Sequence, residues 1–406
     1  MEQDLSHQYQ NWLDSLGDKK KYVESSTFCI LPWVHLCVRP DESLKPCCRY
    51  QLSDDSPLNA NLDSLESNGI QTMNNDYLTN LRQDMLDGVK RPECIKCYLQ
   101  EQNKTLTDRK SLRDFLNWRL SPCLKDNYTS KFDSVRYIEM SLDNICNLQC
   151  KMCDSNYSSK LQLRDEFLGY KVAKKLEPNF HKFKNIDLSN LVYIKLLGGE
   201  PFITPNFVKF LDYVEKRADP TKIALEIATN ATRIPNQKII DKLNKYKFLH
   251  INVSLDAYDK TNDYQRFGSN YVQIYNNAKA YETIFFKREI SFHSTTGLLT
   301  ANKLSDSLNF LTEENKYHVS VDFIRYPHHL SLLYAPQSYL DWVLEKNSNN
   351  STALKLVNTF IQSGKFNKEH WFNFLENTKK LDTFYSTNIR DYNPELVAYL
   401  EDNGYG

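Results

Sequence analysis

The eight residues Cys146–Cys153, CNLQCKMC, constrain this chain more than any other stretch. Three thiols in a C-x₃-C-x₂-C spacing directly follow a strand-like run, 135–142 (VRYIEMSL). An iron–sulfur cubane takes four ligands, usually four Cys thiolates. A loop that offers three leaves one iron with an open position, able to bind a small molecule and pass it an electron. A tetrahedral zinc site needs a fourth ligand, and no His lies nearby. A free Cys is often a small core residue. Packing alone rarely calls for three thiols in eight residues.

The remaining composition narrows the class. At 406 residues the chain buries a large core with ease, and one large domain with appendages is expected. Lys+Arg and Asp+Glu balance at 51 each, so no global field favours nucleic acid or anionic lipid. Residues 1–21 are polar and charged, without the apolar core of a signal peptide. No run approaches the roughly 20 apolar residues of a spanning helix. The chain therefore reads as cytoplasmic and without membrane contact. Disulfides are rare in that compartment. Ten Cys then mean metal, chemistry or core.

Residues 1–27 read as a polar helix and linker. The next stretch, FCILPWVHLCVRP from Phe28, followed by Leu44-Lys45-Pro46-Cys47-Cys48, alternates like a short hairpin with its turn at 40–43. A helical stretch runs from Asp76 to Leu86. Pro92-Glu93-Cys94-Ile95-Lys96-Cys97 is a C-x₂-C knuckle that opens another helix. Cys29, Cys47 or Cys48, Cys94 and Cys97 thus supply four thiolates. By ligand count both zinc and a [4Fe–4S] cluster fit. Adjacent strand residues point opposite ways, so one of Cys47 and Cys48 reaches such a site. Cys37 and Cys123 read as core or surface thiols, and His35 as a structural histidine.

From Val135 strand-like and helix-like segments alternate. Strands are expected at 135–142, 191–197, 222–229, 248–255, 290–296 and 318–324. Helices are expected near 157–177, 205–218, 235–246, 269–287 and 301–315. Six apolar strands separated by helices predict a parallel α/β sheet. Such sheets carry their sites at the carboxyl ends of the strands. After the second strand stands Gly198-Gly199-Glu200-Pro201, after the third Ala228-Thr229-Asn230-Ala231, and after the fourth Ser254-Leu255-Asp256-Ala257. Tyr264-Gln265-Arg266-Phe267-Gly268 follows downstream. Glycines permit close backbone approach to a ligand, and a carboxylate accepts from an ammonium. Asn230 or Asp256 can instead cap a helix. Beyond residue 326 the rhythm breaks, and the chain to 406 reads helical with Trp342, Trp371 and Phe372 as packing anchors.

The Cys146/Cys150/Cys153 spacing, with these signatures in this order, resembles the radical S-adenosylmethionine (SAM) family. The resemblance implies a partial (β/α)6 TIM-like barrel over residues 134–325. It implies a catalytic [4Fe–4S] cluster on the three Cys and SAM chelated by the open iron. It implies reductive cleavage to a 5′-deoxyadenosyl radical that abstracts hydrogen from a substrate. SAM contacts would come from Met152 near the adenine, Gly198, Gly199, Glu200 and Pro201 at the amino group, and Asn230, Ser254, Asp256 and Arg266. Met152 replaces a usual aromatic residue, and Ala231 a usual glycine.

Residues 28–125 resemble the twitch or SPASM modules of that family, which hold an auxiliary [4Fe–4S] cluster. The ligands implied are Cys29, Cys47, Cys94 and Cys97, with Cys47 chosen because it follows Pro46. Glu42 replaces a usual glycine in the hairpin turn. The resemblance implies a reductant such as flavodoxin or ferredoxin. It also implies a peptide or protein substrate, since such proteins often modify ribosomally made peptides. Residues 326–406 form a helical extension in this reading. The competing reading is a Cys-rich zinc or iron–sulfur module that binds a partner without chemistry.

Overall fold

The computed structural model describes residues 11–51, 58–102, 129–173 and 180–405. Cys123 lies outside the described residues. Eight strands form one sheet in the order β2-β1-β3-β4-β5-β6-β7-β8. They are β1 His35–Val38, β2 Leu44–Lys45, β3 Tyr137–Ser141, β4 Tyr193–Leu197, β5 Ala224–Thr229, β6 Phe248–Ser254, β7 Arg288–Thr296 and β8 His318–Phe323. β1 pairs with β2 antiparallel, whereas β1–β3, β6–β7 and β7–β8 are parallel. The fold is therefore mixed α/β with a mostly parallel sheet, consistent with a partial TIM-like barrel. The six expected strands all form, within two residues at each end. The N-terminal hairpin adds two more, because β1 pairs with β3 across the register His35↔Tyr137 to Val38↔Met140.

The chain divides into two compact units. The first comprises Met1–Ser141, Pro178–Lys195 and Lys209–Ala224. Its core gathers Phe28, Trp33, Leu36, Leu65, Leu78 and Leu81, all within 1% of full burial. Arg82 is fully buried. It donates to the carbonyls of Pro32 (3.1 Å), Met73 (2.9 Å) and Ser130 (2.5 Å). A buried guanidinium needs such acceptors, and these tie the helix Asp76–Leu86 to the hairpin. The hairpin turn closes without glycine. Glu42 takes φ +67° and its carboxylate pairs with Lys182 at 2.6 Å.

The second unit comprises Leu142–Glu177, Leu196–Val208 and Leu225–Gly406. In β6 the alternation buries Leu249, Ile251 and Val253 on one face. The helix expected over 157–177 is shorter, Gln162–Phe167. It stops because Gly169 adopts φ +75° and turns the chain with a Tyr170 N–H to Asp165 carbonyl bond. The C-terminal helices Gln337–Lys346, Ser351–Ile361, Lys368–Tyr385 and Pro394–Asp402 pack around Tyr339 and Trp371. Trp342 stacks on Tyr399 at 4.7 Å. Phe372 is no anchor: it is 61% exposed, on the outer face of its helix. Among the described residues, no helix is long and apolar enough to cross a membrane.

Candidate active site

The Cys146–Cys153 loop is held by carboxylates and one guanidinium. Asp143, buried, accepts from the Ile145 amide (2.9 Å), from Asn206 Nδ2 (2.7 Å) and from the Thr204 hydroxyl. Its start is thereby bound to the turn after β4. Asn144 Nδ2 donates to the Ser155 carbonyl at 2.8 Å and closes the loop base. Arg164, 2% exposed, donates to the carbonyls of Cys150 (3.4 Å), Lys151 (3.3 Å) and Cys153 (2.6 Å). Asp165 neutralises that guanidinium and accepts from the Ser155 amide at 2.7 Å. On the other side, the Gln149 and Lys151 amides donate to the Phe267 and Gln265 carbonyls at 3.0 and 2.7 Å. With its backbone so occupied, the loop keeps its three thiols together.

The strand-end signatures of this unit converge on the loop. Gly199, at φ +57°, lies so close that an added Cβ would stand 2.6 Å from the Ile145 carbonyl oxygen. That carbonyl accepts from the Glu200 amide at 2.7 Å. The Glu200 carboxylate is buried. It accepts from the Asn230 amide (2.6 Å), the Thr229 hydroxyl (2.7 Å) and the Phe202 amide (3.1 Å). Burial pushes its pKa up to about 7, against the pull of these hydrogen bonds. Three donors of its own chain thus take up this carboxylate, and it binds the turns after β4 and β5 together. Asn230 Nδ2 donates to Asn147 Oδ1 at 2.9 Å and to Cys146 Sγ at 3.8 Å. The Leu148 amide reaches the same sulfur at 3.5 Å. Such N–H···S bonds tune a cluster's potential.

After β6, the fully buried Asp256 accepts from Arg266 Nη2 (2.7 Å), Gln265 Nε2 (2.6 Å) and the Thr295 amide (2.8 Å). Arg266 is held charged by Asp256, and its charge acts on Cys150 and Cys153. Its Nε and the Gln265 Oε1 are buried without a hydrogen-bond partner. Burial pushes the Cys146 thiol up to about 12. Cys153, which accepts a hydrogen bond from Cys150, is held below the usual thiol range. Met152 and Ser254 are half-buried, and Pro201 is buried. The site thus brings together Cys146, Cys150, Cys153, Gly199, Glu200, Asn230, Asp256 and Arg266.

Sequence reasoning missed Asp143, Arg164, Asp165 and Gln265. Only Gln265 left a signal, next to Arg266. Lys151 was missed too. Its amine is buried among the rings of Tyr264 (3.9 Å), Tyr385 (4.8 Å) and Phe267 (5.9 Å).

These residues fit a [4Fe–4S] cluster with SAM. Three thiols share one preformed loop. Gly199, without a Cβ, lets the turn after β4 come up against the loop backbone at Asp143 and Ile145. The unpartnered Arg266 Nε is a buried donor suited to a carboxylate.

In the first unit, the charges of Cys29 and Cys97 raise the pKa of Cys47 and of Cys94, in each case after burial. Cys29 and Cys97 thus lie within electrostatic reach of both Cys47 and Cys94, and Cys48 acts on Cys47 more strongly than either.

The family model of the radical SAM superfamily matches residues 140–311. GTP 3′,8-cyclase of Vibrio atlanticus is 26% identical over 147 residues, covering 36% of this chain and 40% of that protein. The radical SAM cyclopropyl synthase TigE of Paramaledivibacter caminithermalis is 28% identical over 156 residues, covering 35% of this chain and 31% of that one. The chain thus spans well under half the length of either relative. The crystal structure of Streptococcus suis SuiB bound to S-adenosylmethionine aligns with 72% of this chain and 61% of its own, at 14% identity and a TM-score of 0.32. The superfamily's cofactors are a [4Fe–4S] cluster and SAM, and over residues 140–311 this chain carries a radical SAM superfamily domain.

Proposed function

We propose that this chain is a radical SAM enzyme. Cys146, Cys150 and Cys153 hold its catalytic cluster. A [4Fe–4S] cluster with SAM supplies reductive cleavage to methionine and a 5′-deoxyadenosyl radical, which takes hydrogen from a substrate. The observation that carries this reading is the three-thiol loop, clamped by Arg164 from behind and approached by Gly199 in front. In it, the turn Gly198–Pro201 presents its backbone to the SAM amino group. Glu200 shapes that turn through its own three donors. Arg266, fixed by Asp256, offers Nε to the SAM carboxylate. Asn230 donates to the Cys146 sulfur. Met152 and Ser254 border the adenine and ribose.

The four thiols of the first unit hold an auxiliary [4Fe–4S] cluster in this proposal, and a flavodoxin or ferredoxin supplies electrons. The substrate class is a peptide or protein residue, as in family members with a twitch or SPASM module. The two relatives bear the names of a nucleotide cyclase and a cyclopropyl synthase. The shared domain alone therefore does not choose a substrate. Anaerobic protein given iron, sulfide, dithionite and SAM should release 5′-deoxyadenosine. Cys150→Ala should release none while keeping the auxiliary cluster, because two thiols do not hold a cubane durably. Wild-type release by Cys150→Ala would remove the loop from the chemistry.

A further inference from the structure

A third group of donors lies in the first unit, apart from the seven thiols assigned above. His35 and Cys37 stand two residues apart on β1 and so share one face. In the parallel register Cys37 lies opposite Glu139 of β3. One ligand atom of each of the three lies within 4.8 Å of the other two, and all three residues are buried. We propose that this pocket holds a single zinc-class divalent ion on His35, Cys37 and Glu139, with Cys48 as the fourth ligand.

The geometry fits an ion better than it fits an empty core. His35 Nε2 stands 3.6 Å from Glu139 Oε2. That is too long for a hydrogen bond. Zinc bonds of about 2.0–2.2 Å to nitrogen and oxygen place tetrahedral ligand atoms roughly 3.3–3.6 Å apart. His35 is fully buried, and both of its ring nitrogens lack a hydrogen-bond partner. The Pro46 backbone stands beside the ring. Tyr137 stacks on the ring at 3.9 Å and fixes its plane. The Tyr137 hydroxyl donates to Glu139 Oε2 at 3.3 Å, the kind of outer contact that orients a metal-bound carboxylate.

Cys48 completes the set. Its thiol hydrogen-bonds the Glu139 carboxylate, and its residue opens to solvent, which gives an ion an entry path. Cys29 and Cys97 act on Cys47 beside Cys48 itself, whereas Cys37 and Glu139 interact with Cys48. Charge closes as well. Two thiolates, a carboxylate and a dication leave −1, and the Lys195 charge acts on both His35 and Cys48. Mixed nitrogen, sulfur and oxygen donors select zinc over magnesium or calcium.

The test uses full-length protein purified anaerobically with its clusters loaded. It is incubated with one equivalent of zinc sulfate, desalted and assayed for metal. About one zinc per chain is expected beside the cluster iron. Zinc K-edge absorption should show two sulfur and two nitrogen or oxygen neighbours. His35→Gln and Glu139→Gln should each lose the zinc and keep their iron, whereas Cys97→Ala should keep the zinc. The wild-type absorption spectrum decides even if either variant misfolds. No retained zinc, or an all-sulfur neighbour shell, overturns the proposal. So does zinc kept by a folded His35→Gln.

Discussion

Gly199 sets how closely the turn after β4 approaches the cysteine loop. A Cβ there would meet a backbone carbonyl, which cannot swing aside, and φ is +57°. Gly199→Ala should destabilise the protein by about 2–5 kcal/mol, the left-handed penalty plus overpacking. Urea denaturation followed by fluorescence measures it, and an unchanged midpoint would contradict the close approach. Ala231 is the converse case. It is fully buried at φ +50°, held by an Asn277 Nδ2 bond to its carbonyl at 2.8 Å. Ala231→Gly relieves about 1–2 kcal/mol of left-handed strain and returns about 0.5–1 in chain entropy. Stability should hold or rise slightly, and Ala231→Val should fall by about 2 kcal/mol or more. Both non-glycine departures from the family pattern, Glu42 and Ala231, keep the positive φ that glycine would take. A turn at each of these positions was legible in the sequence. The partners that hold these angles, Lys182 and Asn277, were not, because they lie over forty residues away in sequence.

At the scale of elements, the cysteine loop depends on the helix Gln162–Phe167 through Arg164. Arg164→Met removes three hydrogen bonds to loop carbonyls and leaves Asp165 a buried carboxylate without its cationic partner. A loss of about 3–5 kcal/mol follows. Iron retained on gel filtration should drop by the amount of one cluster. Full retention would show that the loop stands without this clamp. The Glu200 brace has a pH signature. Its folded pKa, about 7, lies above the ordinary value of 4.5. Its contribution is therefore complete below pH 4.5 and is lost as pH rises through 7, on the order of 3 kcal/mol in all. Stability measured across that window should fall with pH in the wild type, and Glu200→Gln should flatten the slope. The strands and most helices were readable from period and punctuation. Asp143, Arg164 and Asp165 were not, since a charged residue in an ordinary helix or turn shows no sign of burial until its partners are placed.

For the whole molecule, the expectation is two iron–sulfur sites, one in each unit, with ligands drawn from very different spans. The catalytic thiols lie within eight residues, whereas Cys29 and Cys97 stand far apart in sequence. Cys97→Ala should lower iron by about four per chain and spare the loop cluster. Cys47→Ala should do the same, and Cys48→Ala should leave iron untouched. Iron unchanged in Cys97→Ala would end the auxiliary-cluster proposal. The three-thiol loop was legible because its ligands are local. The His35, Cys37 and Glu139 group was not, because it exists only once β1 lies beside β3.

That pairing carries a consequence in time. β1 joins β3 across roughly one hundred residues, from His35 to Tyr137. At a ribosomal pace of about 5–20 residues per second, β1 waits on the order of 5–20 s for its parallel partner to be made. Meanwhile it has only the two-residue β2 beside it. All four β1 residues are buried in the finished protein. A nascent chain arrested before residue 137 should therefore bind holdase chaperones through residues 28–38, and one released beyond β4 should not.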